Sequence, residues 1–278
     1  MRYELWVMGF RLLNIRLPLI TVFFLIPSLA WTLSYTTLQD GLEYAVYSPS
    51  QSQVKLHFLR VDLKKLQVRP MDAREFKGIA MPIKTMVQKS GALAGINANF
   101  FDEQNRPLGL LMQEGEIKNK PRPVQWWAAL LIKGDRATIS KVSKPEEVRG
   151  YDSGIQAGPR LVVAGNPPTL KKEFSPKSAV GIDKKGRLIF TASEGGIAID
   201  ELAKVLATPE AQGGGGLHYA LNLDGGSSTQ FYVNTGDFER SLPGLVGVPV
   251  GLGIFEKQPA HNPSRPEGDM NRTAIPRQ

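Results

Sequence analysis

A β-rich α+β domain with a few short helices is what this sequence predicts, and three observations carry the prediction. The chain has 278 residues and 42% hydrophobic content, enough to bury one substantial core. It contains 28 glycines and 20 prolines, a turn-rich composition that disfavours a helical bundle. Short alternating apolar stretches recur along it, while only two stretches show clear helical spacing.

The chain opens on a targeting pattern. Arg2, Arg11 and Arg16 precede an apolar run from Leu17 to Leu33, a positive flank and hydrophobic segment that reads as an export signal or signal anchor over residues 1–36. The run is near the lower limit for a spanning helix, so cleavage after Ser28-Leu29-Ala30 and retention in a membrane are both open. The folded domain is expected over 37–256 outside the cytoplasm: periplasmic, extracellular or anchored. The Pro-rich polar stretch 257–278 is expected to be a disordered tail.

Within the domain, the first strands are Val54–Asp62 and Leu66–Pro70, the second continuing the sheet of the first. Met81–Lys89 is a short helix: Pro82 suits its first turn, Ile83, Met86 and Val87 share a face, and Gly91 ends it. Hairpins follow around Glu114-Gly115, around Lys133-Gly134-Asp135 and around Lys184-Lys185-Gly186. Ile199–Leu206 is an amphipathic helix with Asp200 and Glu201 at its favourable end. Val248–Phe255 closes the domain as a strand. Of Trp126 and Trp127, adjacent and therefore on opposite strand faces, at most one can meet a ligand, and core packing is the better expectation for the pair.

Charge and residue usage exclude several functions. The net charge of +8 suits anionic partners, yet several basic residues lie near the two ends and no Arg/Lys-rich helix is present, so no nucleic-acid partner is expected. The absence of cysteine rules out disulfides, thiolate metal sites and a cysteine nucleophile. Three histidines without an HExxH pattern disfavour a histidine-built zinc site, and Ser227 and Ser228 have no convincing base for a serine hydrolase.

The polar residues that remain cluster at strand ends. Leu217–Leu223 alternates, with Leu217, Tyr219, Leu221 and Leu223 on an apolar face and His218, Ala220 and Asn222 on a polar one. It runs into Asp224-Gly225-Gly226-Ser227-Ser228-Thr229, a carboxylate at a strand end beside glycines that permit close ligand approach. Asn97 and Asn99 lie on one face of a second strand that ends at Asp102, and their amides suit sugar hydroxyls or phosphate oxygens. Ala157-Gly158-Pro159-Arg160 projects a guanidinium from a fixed bend, an arrangement suited to phosphate.

These four blocks, in this order over about residues 90–256, resemble the phosphodiester glycosidase family. Asn222–Thr229 carries the most specific likeness. The resemblance implies hydrolysis of a sugar-1-phosphodiester, with a glycan or sugar-phosphate as partner and no required cofactor. Lys177 stands where the family often has arginine, and Glu194 near where it often has aspartate. Asp224, then Glu194, are the expected catalytic carboxylates under two-carboxylate logic, with Asp102 a third acid or a calcium ligand. Arg160 and Lys177 are expected on the phosphate. Asn97, Asn99, Asn222, Gly225, Gly226, Ser227, Ser228 and Thr229 are expected on the substrate. The competing expectation is a non-catalytic envelope-glycan binder or exopolysaccharide-assembly factor using the same residues.

Overall fold

The computed structural model describes residues 33–49 and 53–257. The expected export signal, save its last residues, and the expected tail beyond Lys257 lie outside the described residues. Among the described residues no helix is long and apolar enough to cross a membrane.

Three large antiparallel sheets make most of the domain, which is mostly β, and a two-stranded one pairs Phe174–Ser175 with Ile197–Ala198. The largest runs in the order Thr36–Gln39, Leu42–Tyr47, Lys55–Val61, Leu188–Glu194, Ser178–Asp183, Leu217–Asn222 and Arg160–Val162. A second runs Glu116–Asn119, Leu111–Gln113, Ser153–Ala157, Ala128–Lys133, Arg136–Ser140. The third runs Glu239–Leu242, Phe231–Asn234, Ala94–Asn97, Val250–Glu256, Leu66–Asp72. Leu66–Asp72 therefore does not continue the sheet of Lys55–Val61, as the sequence suggests. The turn at Asp62, which accepts from the N–H groups of Lys65 and Leu66, sends it to the edge of another sheet. An edge is where Pro70, which has no N–H to donate, can sit.

The inner faces of all three sheets meet in one core. Leu59, Val180 and Leu221 come from the large sheet, Leu111, Leu130 and Ile155 from the second, and Ile96, Val233 and Leu252 from the third. Each outer face has its own cover. Helix α1 (Ile83–Ser90) lays Ile83, Met86 and Val87 on Met71, Tyr232 and Phe255 of the third sheet. It can sit that close because Gly251 has no side chain: a Cβ there would meet Ile83 at 2.5 Å. Helix α2 (Ile199–Ala207) buries Leu202, Ala203 and Leu206 against the large-sheet strands Arg160–Val162 and Leu217–Asn222, in a cluster with Leu161, Val162, Leu217 and Ala220. Each of the larger ones, such as Leu202 and Leu206, contributes roughly 1.5–3 kcal/mol of transfer free energy. Val142 and Val148 cap the outer face of the second sheet.

One face assignment differs from the sequence pattern. Ile182 pairs with Tyr219 and Asp183 with Leu217, so His218 is an extra residue in its strand. Such a bulge reverses the alternation behind it. Leu217 accordingly packs under α2 with Ala220, while Tyr219, Leu221 and Leu223 face the shared core.

Candidate active site

Asp224 lies just past its strand, on the wall of a cleft of about 280 Å³. Phe100 and Trp126 form one side, Gly158 and Pro159 another, and Glu173, Ser175, Lys177, Asn222, Gly225 and Gly226 the rest. The walls come from different sheets: Phe100 follows the third-sheet strand Ala94–Asn97, Trp126 precedes a strand of the second, and Asp224 and Lys177 flank strands of the large one.

Burial dominates the electrostatics of Asp224. It pushes the carboxyl above the usual carboxylate range, while hydrogen bonds from the Ser228 side chain and the Gly225 N–H pull it partly back. The Gly225 N–H donates to Oδ1 at 3.0 Å. No ion pair reaches Asp224 among the described residues. Gly226 adopts a left-handed φ of 63°, and its N–H donates to the Pro176 carbonyl at 2.8 Å. That bond holds the Asp224 loop against the loop bearing Lys177.

Lys177 is the buried cation of the cleft, 2% exposed. Its Nζ donates to Glu173 Oε1 at 2.6 Å and to Ser175 Oγ at 2.8 Å. Glu173 is well exposed, and its bond to Lys177 lowers its own pKa. Glu173 is a cleft carboxylate that sequence reasoning missed, since the segment 173–177 is not helical and its spacing from Lys177 gave no signal. Trp126, 54% exposed on the cleft, was also undervalued: core packing holds for Trp127, which is 6% exposed, but not for its neighbour. Phe100 packs against both indoles.

The asparagines build the site rather than line it, Asn222 excepted. Asn97 is fully buried; its amide donates to the Asp224 carbonyl at 2.7 Å, and its Oδ1 accepts from Ser178 Oγ at 2.6 Å and the Gln230 N–H at 3.0 Å. Asn99 donates to the carbonyls of Leu108, Leu110 and Gln156 at 3.2, 2.9 and 3.1 Å, bracing the loop beyond it. Asn222 donates to the Gly158 carbonyl at 3.0 Å, and its Oδ1 is buried without a protein partner. That segment, with a cis Gly158-Pro159 bond, hands the chain from the second sheet to Arg160 of the large sheet.

Arg160 begins the edge strand directly after Pro159, half-buried, and no carboxylate pairs with it among the described residues. It adjoins the cleft without lining it. Ser227 is exposed beyond the lining, while Ser228 and Thr229 are buried beneath it.

Two expected carboxylates stand elsewhere. Asp102 is used by its own loop: Oδ1 accepts from the N–H groups of Gln104 and Arg106 at 3.0 and 2.9 Å, and Oδ2 from Arg106 Nε at 2.8 Å. These bonds hold its pKa low. Glu194 ends a strand separated from that of Asp224 by Ser178–Asp183, and it does not line the cleft. It accepts from His57 Nε2 at 3.2 Å and Arg240 at 3.3 Å. Two-carboxylate logic based on Asp224 and Glu194 therefore does not describe this cleft. Among the described residues no group of three or more His, Asp or Glu side chains is arranged to hold a metal ion.

The cleft is open and polar, with a half-buried acid, a buried amine and an exposed indole. Residues 90–255 match the profile of the phosphodiester glycosidases, and the chain belongs to that family. Among solved structures it is similar to the catalytic domain of zebrafish N-acetylglucosamine-1-phosphodiester alpha-N-acetylglucosaminidase, auto-inhibited by its pro-peptide. That likeness has 18% identity and a TM-score of 0.64 over 81% of this chain and 87% of that one. It is also similar to a hypothetical protein from Synechocystis, at 16% identity and a TM-score of 0.58, over 81% of this chain and 64% of that one. At these identities the structures share the fold. No curated protein matches the chain.

Proposed function

We propose that this chain is an exported glycosidase that hydrolyses a sugar-1-phosphodiester, of the N-acetylglucosamine-1-phosphodiester kind, in glycans or cell-envelope polymers. The carrying observation is the placement in one cleft of a half-buried carboxyl, without a cation partner among the described residues, and a buried ammonium. In the reaction the C1–O bond breaks and its electron pair leaves with the phosphomonoester, while the oxygen of water bonds to C1. Phosphate is a good leaving group, so the cleft needs positive charge on it more than a strong acid. Lys177 supplies that charge by exchanging Glu173, which is exposed and free to swing away, for a phosphate oxygen. Arg160, unpaired beside the cleft, adds a second positive charge as the phosphate departs.

Asp224 takes the proton of the attacking water. A carboxyl whose proton affinity is raised by burial is a better base than an exposed one. Trp126 offers its face to the apolar side of the sugar ring. Export rests on the arginine-flanked apolar run before residue 34. A fusion of residues 1–40 to a reporter active only after export should give signal, and a cytoplasmic readout alone would refute it.

The activity test is turnover of a panel of sugar-1-phosphodiesters and nucleotide sugars. Release of free sugar and a phosphomonoester is the expected result. Tight binding of the same compounds without turnover would instead favour a non-catalytic glycan binder.

A further inference from the structure

An ammonium that is only 2% exposed, as that of Lys177 is, needs a counter-charge to stay ionised. Glu173 Oε1 supplies it at 2.6 Å, and Ser175 Oγ takes a second N–H at 2.8 Å. The pair stands beside the Asp224 loop: a Cβ on Gly225 would lie 3.8 Å from Lys177 Cδ and 3.9 Å from Ser175 Oγ. The Glu173 side chain is 67% exposed on the cleft wall. The free protein therefore holds a carboxylate where the anionic group of a ligand must go.

The backbone under Glu173 is fixed. Its carbonyl accepts from the Ile199 N–H at 3.0 Å, and Phe174 and Ser175 pair with Ala198 and Ile197. The Phe174 ring lies on Gly196, where a Cβ would meet it at 2.5 Å. Strand alternation turns Phe174 to one face and Glu173 with Ser175 to the other, the face of Lys177. A phosphate that takes the amine can displace the carboxylate only by the length of its own side chain. The negative charge stays at the cleft wall, next to whatever the amine has bound.

A retained charge weighs differently on different ligands. A phosphodiester carries one negative charge, whereas a phosphomonoester carries close to two above its second pKa of about 6. An amine alone attracts the dianion more strongly, and a carboxylate beside it cancels that advantage. One further unit charge at about 4 Å in water is worth roughly fivefold in an equilibrium constant. We infer that Glu173 is a specificity-determining residue of the phosphate subsite, admitting the monoanion of a diester and turning away the dianion of a monoester. On the phosphodiesterase reading of the cleft, on which this rests, Glu173 also clears the product. The departing phosphate gains its second charge as the C1–O bond breaks.

The test is an NMR titration of the full chain at about pH 8 with dimethyl phosphate, a monoanion, and methyl phosphate, a dianion. Turnover of a methyl N-acetylglucosaminyl phosphodiester is measured beside it. The parent should bind dimethyl phosphate at least as tightly as methyl phosphate. Glu173→Gln keeps an acceptor for Lys177 and should tighten methyl phosphate on the order of tenfold and dimethyl phosphate by less, so that the dianion is preferred. Glu173→Asp keeps the charge and should keep the parent's order. Several-fold tighter binding of methyl phosphate by the parent would overturn the inference, whether or not the variants fold. So would equal gains for both ligands in Glu173→Gln, no gain at all, or an Asp variant that behaves as the Gln one. In each of those cases turnover of the diester would leave the phosphodiesterase reading standing. Binding in the expected order without turnover would remove that reading and leave Glu173 its selectivity. Binding of neither phosphate would overturn both.

Discussion

Asp224 and Glu194 leave the same end of the large sheet with one strand between them, yet their surroundings are opposite. Glu194 is half-exposed and held by cations and a histidine. The hydrogen bond from His57 lowers its pKa first of all, with Lys55 and Arg240 adding to the effect. Burial lowers the pKa of His57, whose Nδ1 lies 2.7 Å from the Tyr44 hydroxyl and whose Nε2 lies 3.2 Å from Glu194 Oε2. Every member of that chain has a partner. Asp224 has no cation partner among the described residues, and burial raises its pKa. A carboxylate held ionised by neighbours has little proton affinity to use, whereas one destabilised by its site does. The comparison supports the base role proposed for Asp224 and leaves Glu194 a place in the architecture.

The largest effect should come from Asp224→Asn. It should lower kcat on the order of 10²-fold or more with substrate binding largely kept. Glu194→Gln should cost no more than a few-fold; equal losses from the two would break the comparison. Arg160→Ala should weaken both binding and rate, on the order of tenfold, the scale of one hydrogen bond to a charged group. Arg160→Lys should recover only part of this, since an ammonium lacks the guanidinium fork.

Thermal melts sharpen the contrast, because the two carboxyls act with opposite sign. The folded pKa of Asp224 is raised. Its contribution to stability is therefore full below the unfolded carboxylate range, around pH 4, and is lost as pH rises through the folded value. Asp224→Asn should then melt higher than the parent at pH 7 and gain nothing near pH 3. The folded pKa of Glu194 is lowered. It supplies stability above the unfolded value that is lost as pH falls through the folded one. Glu194→Gln should melt slightly lower at pH 7 and match the parent in acid. Solvent screening of this half-exposed group keeps that difference to roughly 0–1 kcal/mol, the smallest effect of the set.

Much of the fold was legible because local chemistry fixes it. Pro82 and Gly91 bracket α1, and Glu114-Gly115, both at positive φ, close a two-residue hairpin. What sequence could not supply was which sheet each strand joins. Leu66–Asp72 and Arg160–Val162 both change sheets across short connections that look like continuations. Phe231–Asn234 and Glu239–Leu242, together with the first two strands, escaped notice among polar and glycine-containing neighbours. In the site, Asp224, Lys177, Asn222 and the glycines were legible from their strand-end setting. Asn97 and Asn99 were identified as important for the wrong physical reason, because residue type does not say whether an amide serves a ligand or the backbone. Glu173 stood in an unremarkable run of charge, and only the fold brings it to Lys177.

The meeting of three sheets at one core also makes the cleft a gauge of how that core is filled. Trp126 and Phe100 hang from the second and third sheets and Asp224 and Lys177 from the large one, so no single sheet sets the distance between the facing walls. A change in core volume between sheets, such as Leu130→Ala or Leu221→Ala, would let the walls settle differently. Its mark would then appear in the width of sugar the cleft accepts as well as in the melting temperature. Substrate range in this architecture can be retuned from the interior, by residues that never touch a ligand.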